Sequence, residues 1–243
     1  MRKDTLMDYI NLNDMTGYMH YHAPRYKVLH KLIHDYNFDK AKILDIGNSK
    51  FSEMLSELIN CQVDELGFNK DSNRSFGKTI QFDLNEAQNR ELWRKDIGLY
   101  DIIVFAEVLE HLYTSPCLVL KFLYSLLNKN GKLIIQTPNA AAIHKRLKLL
   151  WGINPYMLIR ENNSDPGHYR EYTKRELINY AIESGFEIEG FSFCNYFDYK
   201  YTNHQSDIIN KAKHMGIINF MFSICPPDFK PGMTLILNKR NDS

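Results

Sequence analysis

The stretch YDIIVFAEVLEHL, Tyr100 to Leu112, decides how this chain is read. Asp101 precedes Ile102, Ile103, Val104 and Phe105, a β-branched and aromatic run of strand length with no polar face, as expected of a strand covered on both sides in a parallel sheet. The run leads to Glu107, Glu110 and His111. If a helix begins near Glu107, these residues stand at i, i+3 and i+4, on one helical face. Two carboxylates and an imidazole then converge at the carboxyl end of a strand, the edge at which open α/β sheets bind their ligands.

On either side of this stretch, strands and helices alternate. Upstream, AKILDIG (Ala41 to Gly47) is a short apolar strand stopped by glycine, and Ser49 or Ser52 can cap a helix running to about Leu58. CQVDELG (Cys61 to Gly67) is a second strand carrying Asp64 and Glu65, and TIQFDLN (Thr79 to Asn85) a third that reaches Asp83. Asp64 and Glu65 follow Asp45 at about the spacing at which an acidic group accepts hydrogen bonds from a ribose diol; which one points inward stays open. A polar helical stretch, Glu86 to Lys95, separates the third strand from Tyr100.

Downstream, Ser115 and Pro116 start a helix reaching Leu127, Asn130 and Gly131 close it, and KLIIQ (Lys132 to Gln136) is a fifth strand ending at Thr137, Pro138 and Asn139. This β-α alternation predicts right-handed crossovers and a doubly wound parallel sheet. Residues 140–172 interrupt it with a basic, apolar helix (His144 to Trp151) and a loop through Pro155 and Tyr156, placed where a substrate lid belongs. Thr173 and Glu176 form a capping box, Phe186 to Phe197 a sixth strand and Met233 to Lys239 a seventh, which can insert antiparallel. A second helical insertion, Asp207 to Ile224, lies between those two strands.

Residues 1–40 read as a helical cap with Tyr26, Leu29, Leu32 and Ile33 at helical spacing. Tyr18, His20, Tyr21, His22 and Arg25 form an aromatic and basic cluster there, either a surface helix face or a segment folded over the site, with Arg25 suited to a carboxylate or phosphate.

Composition narrows the functional classes. The 243 residues are 44% apolar and carry 30 basic against 29 acidic side chains, with no basic block, so nothing supports nucleic-acid binding. Four cysteines without a CxxC pair read as reduced core thiols. The first residues lack an apolar signal core, and no run approaches the roughly 18 to 20 apolar residues of a membrane span. The expectation is a soluble, cytoplasmic, single-domain protein: cap 1–40, cofactor-binding core 41–139, lid 140–172 and C-terminal part 173–243.

ILDIG, the acids of strand two, FDL (Phe82 to Leu84), YDIIVFAEVLEHL, GKLIIQTPN (Gly131 to Asn139) and ESGFEI (Glu183 to Ile188) stand in the order found in class I S-adenosylmethionine-dependent methyltransferases, which this chain resembles over about residues 40 to 240. The resemblance implies a Rossmann-like, seven-stranded, mostly parallel sheet with helices on both faces, an N-terminal helical segment and a lid insertion. It also implies an S-adenosylmethionine site at Asp45, Gly47, Asn48 and Ser49 (methionyl part), Asp64 or Glu65 (ribose), Asp83 and Leu84 (adenine), and Ala106 and Glu107 (ammonium end). The family's glycine-rich turn DxGxGxG reads here Asp45-Ile-Gly47-Asn-Ser49-Lys-Phe51, which predicts a reshaped turn and argues against a nicotinamide dinucleotide.

EVLEH also resembles the ExxEH face with which ubiquinone-pathway and small-RNA O-methyltransferases hold a divalent metal. That implies Mg²⁺ or Mn²⁺ on Glu107, Glu110, His111 and, later in the chain, His168, with His111 and Glu110 as the catalytic pair; without a metal, His111 is a lone general base or fills space and Glu110 favours the helix N-terminus through the dipole. TPN, the Trp151 to Tyr156 lid and GHYREYT resemble methyltransferases of bacterial surface-polysaccharide (capsule) and sugar modification. Arg25, Asn139, His168 and Tyr169 are then the candidate acceptor contacts. A sugar or nucleotide-sugar hydroxyl comes first as acceptor, a quinone-type or other small molecule second, and a non-catalytic cofactor-binding module is the reading from another class.

Overall fold

The computed structural model describes residues 5–36, 41–47, 49–59, 61–68, 77–162, 166–201, 216 and 219–240. Seven strands form one sheet in the order β3-β2-β1-β4-β5-β7-β6. β1 (Ile43–Ile46), β2 (Val63–Gly67), β3 (Thr79–Gln81), β4 (Tyr100–Ala106) and β5 (Leu127–Pro138) pair in parallel. β6 (Phe186–Cys194) and β7 (Gly232–Lys239) pair antiparallel with each other, and β7 pairs antiparallel with β5. The doubly wound reading and the antiparallel last strand both hold.

β4 is buried on both faces, and its alternating side chains feed two separate cores. Ile102 and Val104 join the cluster under α1 (Leu6–Asn13), α2 (Tyr18–Asp35) and α3 (Lys50–Ile59). Ile103 and Phe105 join the opposite cluster, which contains Val119, Leu120, Phe122 and Leu123 of α4 (Pro116–Ser125) and Leu177 and Ala181 of α6 (Lys174–Glu183). Period 2 along one strand therefore builds both layers, and the uniform apolarity of Ile102 to Phe105 follows from having no solvated face. α6 opens on the expected Thr173–Glu176 capping box. All four cysteines are free thiols. Among the described residues, no helix is long and apolar enough to cross a membrane.

Several local expectations are corrected. No helix begins at Glu107: β4 ends at Ala106, Glu107 takes φ +57°, and only a short 3-10 turn at Leu109–His111 follows. The 86–95 stretch is a series of 3-10 turns, in which Asp83 and Asn89 accept backbone N–H bonds that compete with a regular helix. α4 ends at Ser125, so β5 starts at Leu127, and Asn130, at φ +62°, lies within the irregular first part of that strand. The second insertion is helical at 216 and 219–224; its residues 207–215, 217 and 218 lie outside the described residues.

The chain runs outward from β1 through β2 to β3 and then returns to place β4 beside β1. The crevice at the carboxyl ends of β1 and β4 is thus the topological switch point of the sheet, where ligands of such folds bind.

Candidate active site

Two cavities, of about 940 and 900 Å³, open at that crevice. Tyr18, Ile46, Gly47, Glu107, Val108 and His111 line both, so they form the seam between them.

Gly47 ends β1 with φ +110°, and a Cβ there would lie 2.8 Å from Val108 Cγ2. This one glycine is required both by backbone angle and by the close approach of the loop after β4. Ser49 takes over part of the work of the missing glycines. Its hydroxyl donates to Asp45 Oδ2 at 2.8 Å and accepts from the Phe51 amide at 3.1 Å, turning the chain into α3. Ser52 donates to the same Asp45 oxygen at 2.6 Å. Burial outweighs these bonds and pushes the Asp45 carboxyl up to about 6. Asp45 therefore holds the turn together, and Ser49 lines the larger cavity. Asn48 lies outside the described residues.

The smaller cavity is bounded by Leu66, Gly67, Phe68, Asp83, Leu84 and Asn85. Asp83 caps its 3-10 turn through Oδ1, bonded to the Asn85 amide and side chain at 2.9 and 3.1 Å, while Oδ2 takes no hydrogen bond among the described residues. Asn85 Oδ1 in turn accepts from the Tyr113 amide at 2.9 Å, tying this wall to the loop after β4. Asp64 and Glu65 are placed differently from the expected ribose acid. β2 continues to Gly67, so both lie within the strand and line neither cavity. Asp64 accepts from the Tyr100 hydroxyl (2.9 Å), the Lys78 amide (2.9 Å) and Gln62 (3.1 Å), and Glu65 is buried level with Asp45.

Glu107 sits at the seam in a left-handed conformation uncommon for a side chain of its size, fixed by its N–H donating to Gln136 O at 2.8 Å. Burial raises its carboxyl above the usual range, partly offset by Arg25 and His168. Glu110 is fully buried; burial and then the charge of Glu107 raise its carboxyl well above normal. Thr137 donates to Glu110 Oε2 at 2.9 Å, and Oε1 is buried with no hydrogen-bond partner.

His111 and His168 meet edge to face, ring centroids 4.7 Å apart. Nδ1 of His111 faces Gly167 O at 2.9 Å, and Nδ1 of His168 faces Glu171 Oε1 at 3.2 Å. In the neutral rings, a proton on Nδ1 leaves the lone pair on Nε2. Donor atoms of Glu110, His111 and His168 come within 4.8 Å of one another. Glu107 is not part of that group, because without a helix the i, i+3, i+4 face does not form.

Glu171 is more than a lid residue. Burial pushes its carboxyl up, but the His168 hydrogen bond and the Lys145 ammonium outweigh burial and hold it below the usual range. Lys145, on α5 (Ile143–Leu150), is itself buried, pairs with Glu171 and donates to Asn139 O at 3.1 Å. Asn139 spends its side chain on the backbone: Nδ2 donates to the Asp228 and Lys230 carbonyls and Oδ1 accepts from Ala141. It braces the turn after β5 and lines neither cavity. Tyr169 lines the smaller cavity, beside Tyr113, instead of joining His168 in the larger one.

The N-terminal cluster folds over the site. Tyr18, Tyr21, His22 and Arg25 all line the larger cavity, whereas His20 turns away to Asp14 at 2.7 Å. Their i, i+3, i+4, i+7 spacing continues the stripe of Tyr26, Leu29 and Ile33, the signal by which this placement can be read. Arg25 is 4% exposed, and its Nε and Nη1 have no hydrogen-bond partner. His22 is pushed down to about 3 by burial and by Arg25, so it is neutral. Phe197 and Tyr199, not anticipated from sequence, complete an aromatic wall with Tyr21, which stacks on Phe197 at 4.7 Å.

The family model for the methyltransferase domain matches residues 15–189. The chain belongs to that family and is an S-adenosylmethionine-dependent methyltransferase. Among solved structures it is similar to an S-adenosylmethionine-dependent methyltransferase from Archaeoglobus fulgidus (16% identity, TM-score 0.53, covering 88% of this chain and 94% of that one). It is also similar to the N-methyltransferase NodS from Bradyrhizobium japonicum in complex with S-adenosylhomocysteine (12% identity, TM-score 0.52, 95% and 91%). At these identities the likeness is one of fold. No curated protein matches the chain.

Proposed function

We propose that the chain O-methylates a small polar acceptor, such as a sugar or nucleotide-sugar of bacterial surface polysaccharide, with a divalent cation held by Glu110, His111 and His168. It works as one catalytic unit, capped by residues 1–40 and lidded by 140–172. The observation that carries this reading is the convergence of one carboxylate and two imidazoles within 4.8 Å beside the larger cavity.

The donor set fits a metal. Glu110 Oε1 is buried without a partner, and each histidine is held at Nδ1 by an acceptor, the outer-shell arrangement usual for ligating histidines. Two imidazoles with one carboxylate suit Mn²⁺ better than Mg²⁺. Such a cation supplies Lewis acidity that lowers the pKa of a bound hydroxyl.

The smaller cavity takes the adenosine part of the cofactor, with Asp83 as acceptor for the adenine amino group beside Leu84. Ser49, Gly47 and the Ala106–Glu107 backbone bound the methionyl part. Arg25, a buried guanidinium with two donors to satisfy, fits the carboxylate of that part better than a neutral acceptor. The Tyr21, Phe197 and Tyr199 wall offers ring faces to the C–H side of a sugar, and His168, oriented by Glu171, faces the acceptor's oxygens. S-Adenosylmethionine supplies the electrophilic methyl group.

Mn²⁺ titration followed by electron paramagnetic resonance tests the metal role. One ion per chain is expected, bound at least tenfold more weakly in Glu110→Gln and His168→Ala, with S-adenosylhomocysteine affinity unchanged in both. No Mn²⁺ binding at millimolar concentration removes the cation and leaves His111, with its lone pair on Nε2, as the base.

A further inference from the structure

α5 and the segment after it carry a ridge of apolar side chains that are exposed among the described residues. Leu150 is 78% exposed, Trp151 71% and Leu158 81%, and Leu149, Ile153 and Ile159 are exposed beside them in sequence. Phe220 and Ile224, also exposed, extend it: Phe222 of the same helical turns packs edge to face on His144 of α5, centroids 5.7 Å apart. Isolated exposed apolar side chains are ordinary, but a run of this density marks a docking surface.

The charges around the ridge identify its partner. Residues 143–160 contain Lys145, Arg146, Lys148 and Arg160 and no acid, in a chain whose total charge is only +1. Lys145 is used internally by Glu171; Arg146, whose Nε donates to Ala141 O at 2.6 Å, and Lys148 are exposed on α5. Leucines interleaved with arginine and lysine on a short amphipathic helix, with a tryptophan directly after its end, are the composition of a segment lying in the headgroup region of a bilayer. A second copy of the chain is a poor occupant, because a two-fold interface sets the same patch against itself and brings Arg146 and Lys148 against their own counterparts. Anionic headgroups complement them. The ridge is also continuous with the site, since Met157 lines the larger cavity and Ile159 and Arg160 the smaller.

We propose that this ridge seats the enzyme reversibly on an anionic lipid surface, with Leu150, Trp151 and Leu158 in the headgroup–acyl boundary and Arg146 and Lys148 among the lipid phosphates. Its consequence, that the acceptor is reached at the membrane surface, rests on the larger cavity being the acceptor site; the docking itself does not.

Flotation of the full-length protein with phosphatidylglycerol/phosphatidylcholine vesicles, against pure phosphatidylcholine, is the test. Partition is expected to be at least tenfold stronger on the anionic vesicles, with a blue shift of tryptophan emission that Trp151→Leu abolishes. Leu150→Glu combined with Leu158→Glu lowers partition at least tenfold while leaving the S-adenosylhomocysteine thermal shift unchanged, which separates loss of docking from loss of fold or of cofactor binding. Equal, negligible flotation on both vesicle types overturns the proposal. So does a concentration-dependent dimer that the same two substitutions dissolve, which would give the ridge to a second copy.

Discussion

Replacing Gly47 by alanine probes the seam on which both cavities depend. At φ +110° an L-residue lies outside the left-handed well, a strain of about 1–3 kcal/mol. The new methyl would also stand 2.8 Å from Val108 Cγ2, and a β-branched neighbour stiff at χ1 cannot swing aside, which adds about 1–3 kcal/mol of overpacking. The expected destabilisation is therefore about 2–6 kcal/mol by denaturant unfolding, with S-adenosylhomocysteine affinity lowered at least tenfold because the turn moves. In a Val108→Ala background the clash disappears and the backbone strain stays, so the penalty falls to about 1–3 kcal/mol. A Gly47→Ala protein within about 0.5 kcal/mol of wild type, or a penalty unchanged by Val108→Ala, refutes this account of the turn.

Two further predictions concern buried charge. Asp45 titrates at about 6 in the fold against an ordinary value of 3.8, so between those values the native state keeps a proton that the unfolded chain has lost. Stability present below pH 4 is thus lost as the pH rises through 6, by about 3 kcal/mol, and Asp45→Asn should flatten that part of the curve; an identical pH dependence in the variant sinks the idea. Lys145→Met leaves Glu171 buried without its cation and should cost about 3–5 kcal/mol, most of it recovered in Lys145→Met with Glu171→Leu. Calorimetric unfolding of the three proteins checks this, and a double variant no more stable than the single one contradicts it.

How much of this was legible in the sequence depends on the range of the interaction concerned. β4 was readable because its centre, Ile102 to Phe105, is buried on both faces and therefore apolar, and the capping box of α6 because it is local. Glu107 was not: one residue at positive φ converts an expected helical face into a tight turn, and nothing in EVLEHL announces it. Asp64 and Glu65 had the right spacing from Asp45 but the wrong depth. The register places Asp45 level with Glu65, so the edge facing the cavity falls two to three residues later, at Gly67 and Phe68. Arg25 and the Tyr21–Phe197 stack depend on a contact between chain segments far apart in sequence, which periodicity suggests only on the helical side. His168 beside His111 was expected from family resemblance; its Glu171–Lys145 support emerges only from the packing of α5.

The most direct test of the central claim is calorimetric and thermal-shift titration with S-adenosylhomocysteine. One site per chain is expected, and at about 100 times the dissociation constant a stabilisation of about 2.7 kcal/mol, a shift of roughly 5–10 °C for a chain of this size. Asp83→Ala and Arg25→Ala should each weaken binding at least tenfold. Absence of both heat and shift at saturating ligand contradicts the placement of the cofactor across these two cavities.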